Sequence, residues 1–246
     1  MKTVLLPTPE PAASPFPSPA IVIALNDGGL RVTLDAQGNF AGLGALSPAT
    51  QRTFRTALET GRVDVPPALA TLSGQAETLM GGAAEGVAFP LIGPVGTVVR
   101  TDRPTLRWSP LAGAQSYTVT LLDANLKTLA ASPPLTATGW TLPRSLARGQ
   151  VYSWQVTAIK DGQEIVSPAA PAPEARFKIL DQARAERLRR MEAANPNSHL
   201  ARGVSYAQAG LLNDAEREFR ALLAANLQSP IARKLLRNVE ALHRPK

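Results

Sequence analysis

The chain has 246 residues, a formal net charge of +7, 44% hydrophobic residues, only 5% aromatic residues and no cysteine. The length allows one large domain or two to three small ones, and the core must be built mainly from Leu, Val, Ile and Ala. Zero Cys excludes a disulfide scaffold and any thiolate-bound zinc or iron–sulfur centre. With two histidines, His199 and His243, a His-rich metal site is excluded and a Ser-His-Asp triad is disfavoured. The basic excess is uneven. Residues 1–46 carry two basic and three acidic groups, whereas 179–246 carry twelve and seven.

Met1 to Leu6 holds an apolar run of three before Pro7, too short for a signal peptide. No stretch approaches the roughly 18 apolar residues of a membrane helix. Residues 7–19, PTPEPAASPFPSP, read as an extended spacer, because proline fixes φ and lacks a donor. The expected organisation starts with a Pro-rich stalk over 1–19. A stalk at the start of a chain implies a further segment upstream, such as a membrane anchor.

A small β-meander plus helix is expected over 20–89. Ile21, Ile23 and Leu25 alternate, Asn26–Gly29 reads as a tight turn, and Leu30, Val32 and Leu34 alternate again. Asp35–Asn39 makes a second turn. Ser47-Pro48 is an N-cap followed by proline at the first helical position, so a helix is expected over 48–60 with Gly61 as its stop. Glycines 81, 82 and 86 mark a loop.

Residues 90–178 carry short alternating runs separated by turn residues at 97–99, 105–108, 116–122, 138–142, 152–159 and 176–179, the pattern of an antiparallel sandwich. Leu106 and Trp108 share a face, as do Tyr152, Trp154, Val156 and Ala158. This segment resembles a fibronectin type III-like β-sandwich. The resemblance implies that Trp108 is the buried tryptophan of the second strand, Tyr117 the tyrosine of the third, Leu142 the core leucine before a turn, and Tyr152 the tyrosine corner.

Residues 179–246 turn helical, with helices expected over 180–194 and 231–242. Between them, Gly203, Tyr206, Gly210, Ala215 and Phe219 are spaced as in a tetratricopeptide-like hairpin, which this stretch resembles. Only one such repeat is present. Leu227 stands where the family has Pro, and Arg202 where it often has Leu. The fold class expected is therefore α+β multidomain: small β-meander/helix domain, fibronectin type III-like sandwich and helical tail.

Catalytic motifs are absent. The glycines of 38–44 open no helix, and those of 81–86 are not followed by Lys-Ser/Thr, so neither cradles a phosphate. The acids are scattered, with no pair placed for acid/base chemistry. His199 reads as a cap or surface residue. No cofactor and no metal are expected, and the chain reads as a non-enzyme. Trp108, Trp140 and Trp154 form a carbohydrate platform only if exposed together, whereas alternation places Trp108 and Trp154 in a core. Arg184, Arg187, Arg189 and Arg190 form the densest basic cluster. No aromatic residues accompany them, which argues against nucleic acid.

In layout, the order of stalk, meander, sandwich and hairpin resembles the extracytoplasmic region of bacterial membrane-anchored anti-sigma-factor-like (zinc-finger) proteins. The zinc finger and the membrane span of those proteins have no counterpart here, so sigma-factor binding attaches to no residue. The resemblance implies a periplasmic or envelope location given an upstream anchor, and a cytoplasmic one if Met1 is the true start. It also implies a non-enzymatic protein-interaction or sensor module. The alternative is a module binding peptidoglycan or polysaccharide. An acidic protein partner is expected, with membrane contact only through the anchor. The expected contact residues are Tyr206 and Leu223 as apolar anchors and Arg184, Arg187 and Arg190 as cations.

Overall fold

The computed structural model describes residues 21–44, 46–72 and 89–243. The Pro-rich stalk and the glycine run at 81–86 lie outside the described residues.

The first unit is an antiparallel meander of β1 (Ile21–Asp27), β2 (Leu30–Asp35) and β3 (Phe40–Ala41). Asp27 pairs with Leu30, so the tight turn is Gly28-Gly29 alone, both at positive φ. Asn26 and Asp27, expected in the turn, are strand residues. Gly28 also permits a close approach, because a Cβ there would lie 1.7 Å from the carbonyl oxygen of Asn197. Helix α1 (Pro48–Thr60) follows, with the Ser47 hydroxyl accepting from the Thr50 amide and Gly61 closing its end. Its apolar face, Phe54, Ala57 and Leu58, is buried. A short α2 (Ala68–Leu72) buries Leu69 and Leu72.

Residues 89–179 form a two-sheet sandwich. Its strands are β4 (Leu91–Gly93), β5 (Thr97–Val99), β6 (Thr105–Trp108), β7 (Ala114–Leu122), β8 (Thr128–Ala131), β9 (Gly139–Thr141), β10 (Val151–Lys160), β11 (Gln163–Ser167) and β12 (Ala175–Ile179). One sheet has the order β4-β6-β9 and the other β5-β12-β10-β7-β8, with β11 also on β10. All pairings are antiparallel except β5 with β12. The core between the sheets contains Leu106, Trp108, Tyr117, Val119, Leu142, Trp154, Val156 and Phe177. Trp108 and Trp154 are each 1% exposed. The Trp154 indole donates to the Pro94 carbonyl at 2.9 Å, and Tyr117 lies between Phe89 and Trp108 at centroid distances of 6.0 and 5.6 Å. The Tyr152 hydroxyl donates back to the Ala147 carbonyl at 3.1 Å, which is the geometry of a tyrosine corner.

Four helices follow among the described residues: α3 (Gln182–Ala194), α4 (His199–Ala209), α5 (Leu212–Ala224) and α6 (Pro230–His243). Helices α4 and α5 form a hairpin in which Gly203 meets the ring of Phe219; a Cβ on Gly203 would sit 2.6 Å from that ring. Ala215 and Phe219 are fully buried.

The helices do not make a core of their own. Leu25, Val32, Leu34 and Phe54 from the N-terminal unit share one apolar cluster with Leu200, Val204, Phe219, Leu235 and Val239. The polypeptide therefore leaves a half-built core, forms the sandwich, and returns to complete what it left. Asp27 is the polar fastening of this closure. Its carboxylate, 1% exposed, accepts from the His199 amide at 2.7 Å, the Leu200 amide at 3.2 Å and the Ser198 hydroxyl. It thus takes up orphan donors at the start of α4. Asn226 does a similar service at the strand edge, bonding both the amide and the carbonyl of Asn26.

Candidate functional site

The sandwich meets the helices along β5. Val98 turns into the helical core while Val99 packs on the sandwich core, and the adjacent Ile179 and Leu180 divide in the same way. The Val98 amide donates to the Gly210 carbonyl at 3.2 Å, and the Leu180 amide to the Val99 carbonyl at 2.9 Å. Arg148 bonds the carbonyls of both Arg100 and Leu180.

Beside this seam lies a polar network that links β5, α3, α4 and α5. Arg100, just past β5, bonds both oxygens of Glu192 on α3, at 2.7 and 3.1 Å. The Tyr206 hydroxyl donates to Glu192 at 2.6 Å and accepts from Arg100 at 3.2 Å. The Arg100 guanidinium also sits 5.3 Å from the Tyr206 ring centroid, a cation–π distance. Arg202 continues the chain by donating to the Tyr206 hydroxyl and pairing with buried Glu218, whose other oxygen meets His199 Nδ1 at 2.8 Å. Burial pushes the Glu192 carboxyl up, but the hydrogen bonds from Arg100 and Tyr206 outweigh it and hold the group below the usual range. Burial, reinforced by the bond to Glu192, raises the Tyr206 phenol.

This network corrects one expectation. Tyr206 is 1% exposed and has its hydroxyl committed to Glu192, so it is an internal strut and offers no surface to a partner. Leu223 is half-buried against the shared core. Helix α6 and the meander share one apolar cluster with the hairpin.

The three arginines are placed differently. Arg184 and Arg187 line a groove of about 280 Å³ with Leu188 and Met191 of α3, Ser205, Gln208 and Ala209 of α4, and Thr50 of α1. Positions 184, 187, 188 and 191 recur at helical spacing and therefore share one face. Arg190 is exposed on another face, outside the groove. Arg184 pairs with Asp181 at 3.3 Å, whereas Arg187 has no ion-pair partner among the described residues. Most acids of the helical segment are taken: Glu192 by Arg100, Glu218 by Arg202, Asp214 by Arg217, and Glu216 and Glu240 by Arg220. The unpaired cations of α3 are thus Arg187, Arg189 and Arg190.

Among the described residues, no group of three or more His, Asp or Glu side chains is placed to hold a metal ion. No described helix is long and apolar enough to cross a membrane. Trp140 is half-buried against the sandwich core, and the large apolar side chains exposed among the described residues are all aliphatic. No aromatic platform for a sugar ring is present there.

No family profile matches the chain, and no curated protein matches it. Among solved structures, it is similar to a Fn3-like protein from Clostridium thermocellum, with 25% identity over 39% of this chain and 95% of that one, at a TM-score of 0.28. It is also similar to CopC from Methylosinus trichosporium OB3b, with 17% identity over 37% of this chain and 92% of that one, at a TM-score of 0.27.

Proposed function

We propose that the chain is a non-enzymatic protein-docking or sensor module, the extracytoplasmic part of a membrane-anchored bacterial regulator, and that its α4–α5 hairpin is tetratricopeptide-like. The support is that the buried and half-buried acids of the helical core hold elements together: Asp27 caps α4, Glu192 binds Arg100 and Tyr206, and Glu218 binds His199 and Arg202. The observation that carries the reading is the groove beside α3, where cations stand over apolar residues on a frame fastened from both sides.

The direct test is capture of envelope proteins by the full chain and by a variant carrying Arg184→Gln and Arg187→Glu. Loss of specific partners from the variant is expected, and unchanged capture would sink the reading. Point variants are required, because a truncation that removes the helices uncovers Leu25, Val32, Leu34 and Phe54. The envelope assignment is tested separately by fractionating source cells. The native protein should sediment with membranes and be released by detergent, not by salt.

A further inference from the structure

We infer that the groove between α3 and α4 takes an acidic amphipathic peptide, with carboxylates on Arg184 and Arg187 and an apolar side chain seated on Leu188, Met191 and Ala209. The inference rests on the docking reading above and names the chemistry of the partner. Charge complementarity is its first support. No acid lines the groove, Arg187 has no ion-pair partner among the described residues, and Arg184 has Asp181 alone. The floor is the second support, because Leu188 is buried and Met191 half-buried, so an apolar side chain finds contact beside the two cations.

Two other anionic partners fit less well. A membrane-surface helix joins cations to exposed large apolar side chains. The exposed large apolar residues here are Val22, Leu30, Ile92, Val95, Leu126, Leu129 and Leu227, none of them on α3. Single-stranded nucleic acid needs stacking aromatics, and no described aromatic residue is exposed.

The test is an NMR titration of the isotope-labelled full chain with an acetylated, amidated 12-residue Leu/Glu peptide helix, run beside a version with Gln for every Glu. Shifts should concentrate at Arg187, Leu188, Met191, Gln208 and Ala209. Affinity should fall at least tenfold with the Gln peptide and with Arg184→Gln plus Arg187→Glu, and weaken as salt is raised. Both positions are at the surface, and an unchanged Tm shows that the variant remains folded. Equal binding of both peptides, or shifts centred elsewhere, overturns the inference. So does arginine-dependent binding to phosphatidylglycerol vesicles in place of the peptide. If the acidic peptide fails while partner capture still depends on the two arginines, only this inference falls. If capture ignores them, the docking reading falls as well.

Discussion

Asp27 and His199 stand 172 positions apart in sequence, yet the His199 amide donates to the Asp27 carboxylate at 2.7 Å. A residue at the end of the first described strand therefore caps a helix that begins after the whole sandwich. With the Ser198 hydroxyl and the Leu200 amide on the same carboxylate, removing it leaves several buried donors unmatched. Asp27→Ala should cost about 2 kcal/mol, the upper range for loss of a cap. Urea unfolding checks the magnitude, and hydrogen exchange should speed up first in the opening turn of α4. A change below about 0.5 kcal/mol would mean the cap is redundant.

The shared core makes the parts unequal when separated. A fragment of residues 89–180 keeps all of the sandwich core and should fold alone, with dispersed amide resonances. A fragment of residues 20–72 has only half a core and should remain unfolded until residues 180–243 are supplied. Independent folding of the N-terminal fragment would show that the shared cluster is contact without dependence.

Gly203→Ala should destabilise by about 1–3 kcal/mol, the usual range for overpacking, since its Cβ would sit 2.6 Å from the Phe219 ring. Adding Phe219→Leu should recover part of that loss by making room. A double-mutant cycle reads the coupling, and strict additivity would argue against direct contact.

Within the sandwich, Trp108→Ala and Trp154→Ala should each cost about 3–5 kcal/mol. Trp154→Phe should cost less, because it keeps an aromatic ring and loses chiefly the bond to Pro94. Chemical denaturation of the 89–180 fragment isolates these effects from the helices.

The Arg100–Glu192 pair predicts a pH dependence. The Glu192 carboxyl is held below its ordinary range in the folded protein, so its contribution is complete above the unfolded glutamate pKa of about 4.3. That contribution is lost as pH falls through the lower folded value. The Tm gap between the wild type and Glu192→Gln should be constant above about pH 5.5 and close in more acidic buffer. A gap that persists at the lowest pH would assign the effect to packing.

Local elements were legible wherever periodicity and caps agreed. Ser47-Pro48 and Gly61 bounded α1, and the alternation of Tyr152, Trp154, Val156 and Ala158 placed their side chains in the sandwich core. Strands β4, β8 and β11 are short edge pieces with little alternation, so they gave no signal. The larger omission was the shared core. Apolar stripes show that a face is covered but not what covers it. Asp27 looked like a turn residue because Asp-Gly is a strong hairpin signal. Of the expected contact residues, Arg184 and Arg187 line one groove, as their helical spacing implies, while Tyr206 is buried beneath Arg100, 106 positions away, a cover that local periodicity does not reveal.

The order of synthesis gives the split core a temporal meaning. At roughly 5–20 residues per second on the ribosome, Ser198 emerges about 9–34 s after Asp27, its bonding partner 171 positions earlier. The sandwich is contiguous and can finish folding in that interval. The meander and α1 must wait with Leu25, Val32, Leu34 and Phe54 uncovered, so the nascent chain should be most prone to chaperone capture or misassociation in the window before α4 and α5 appear.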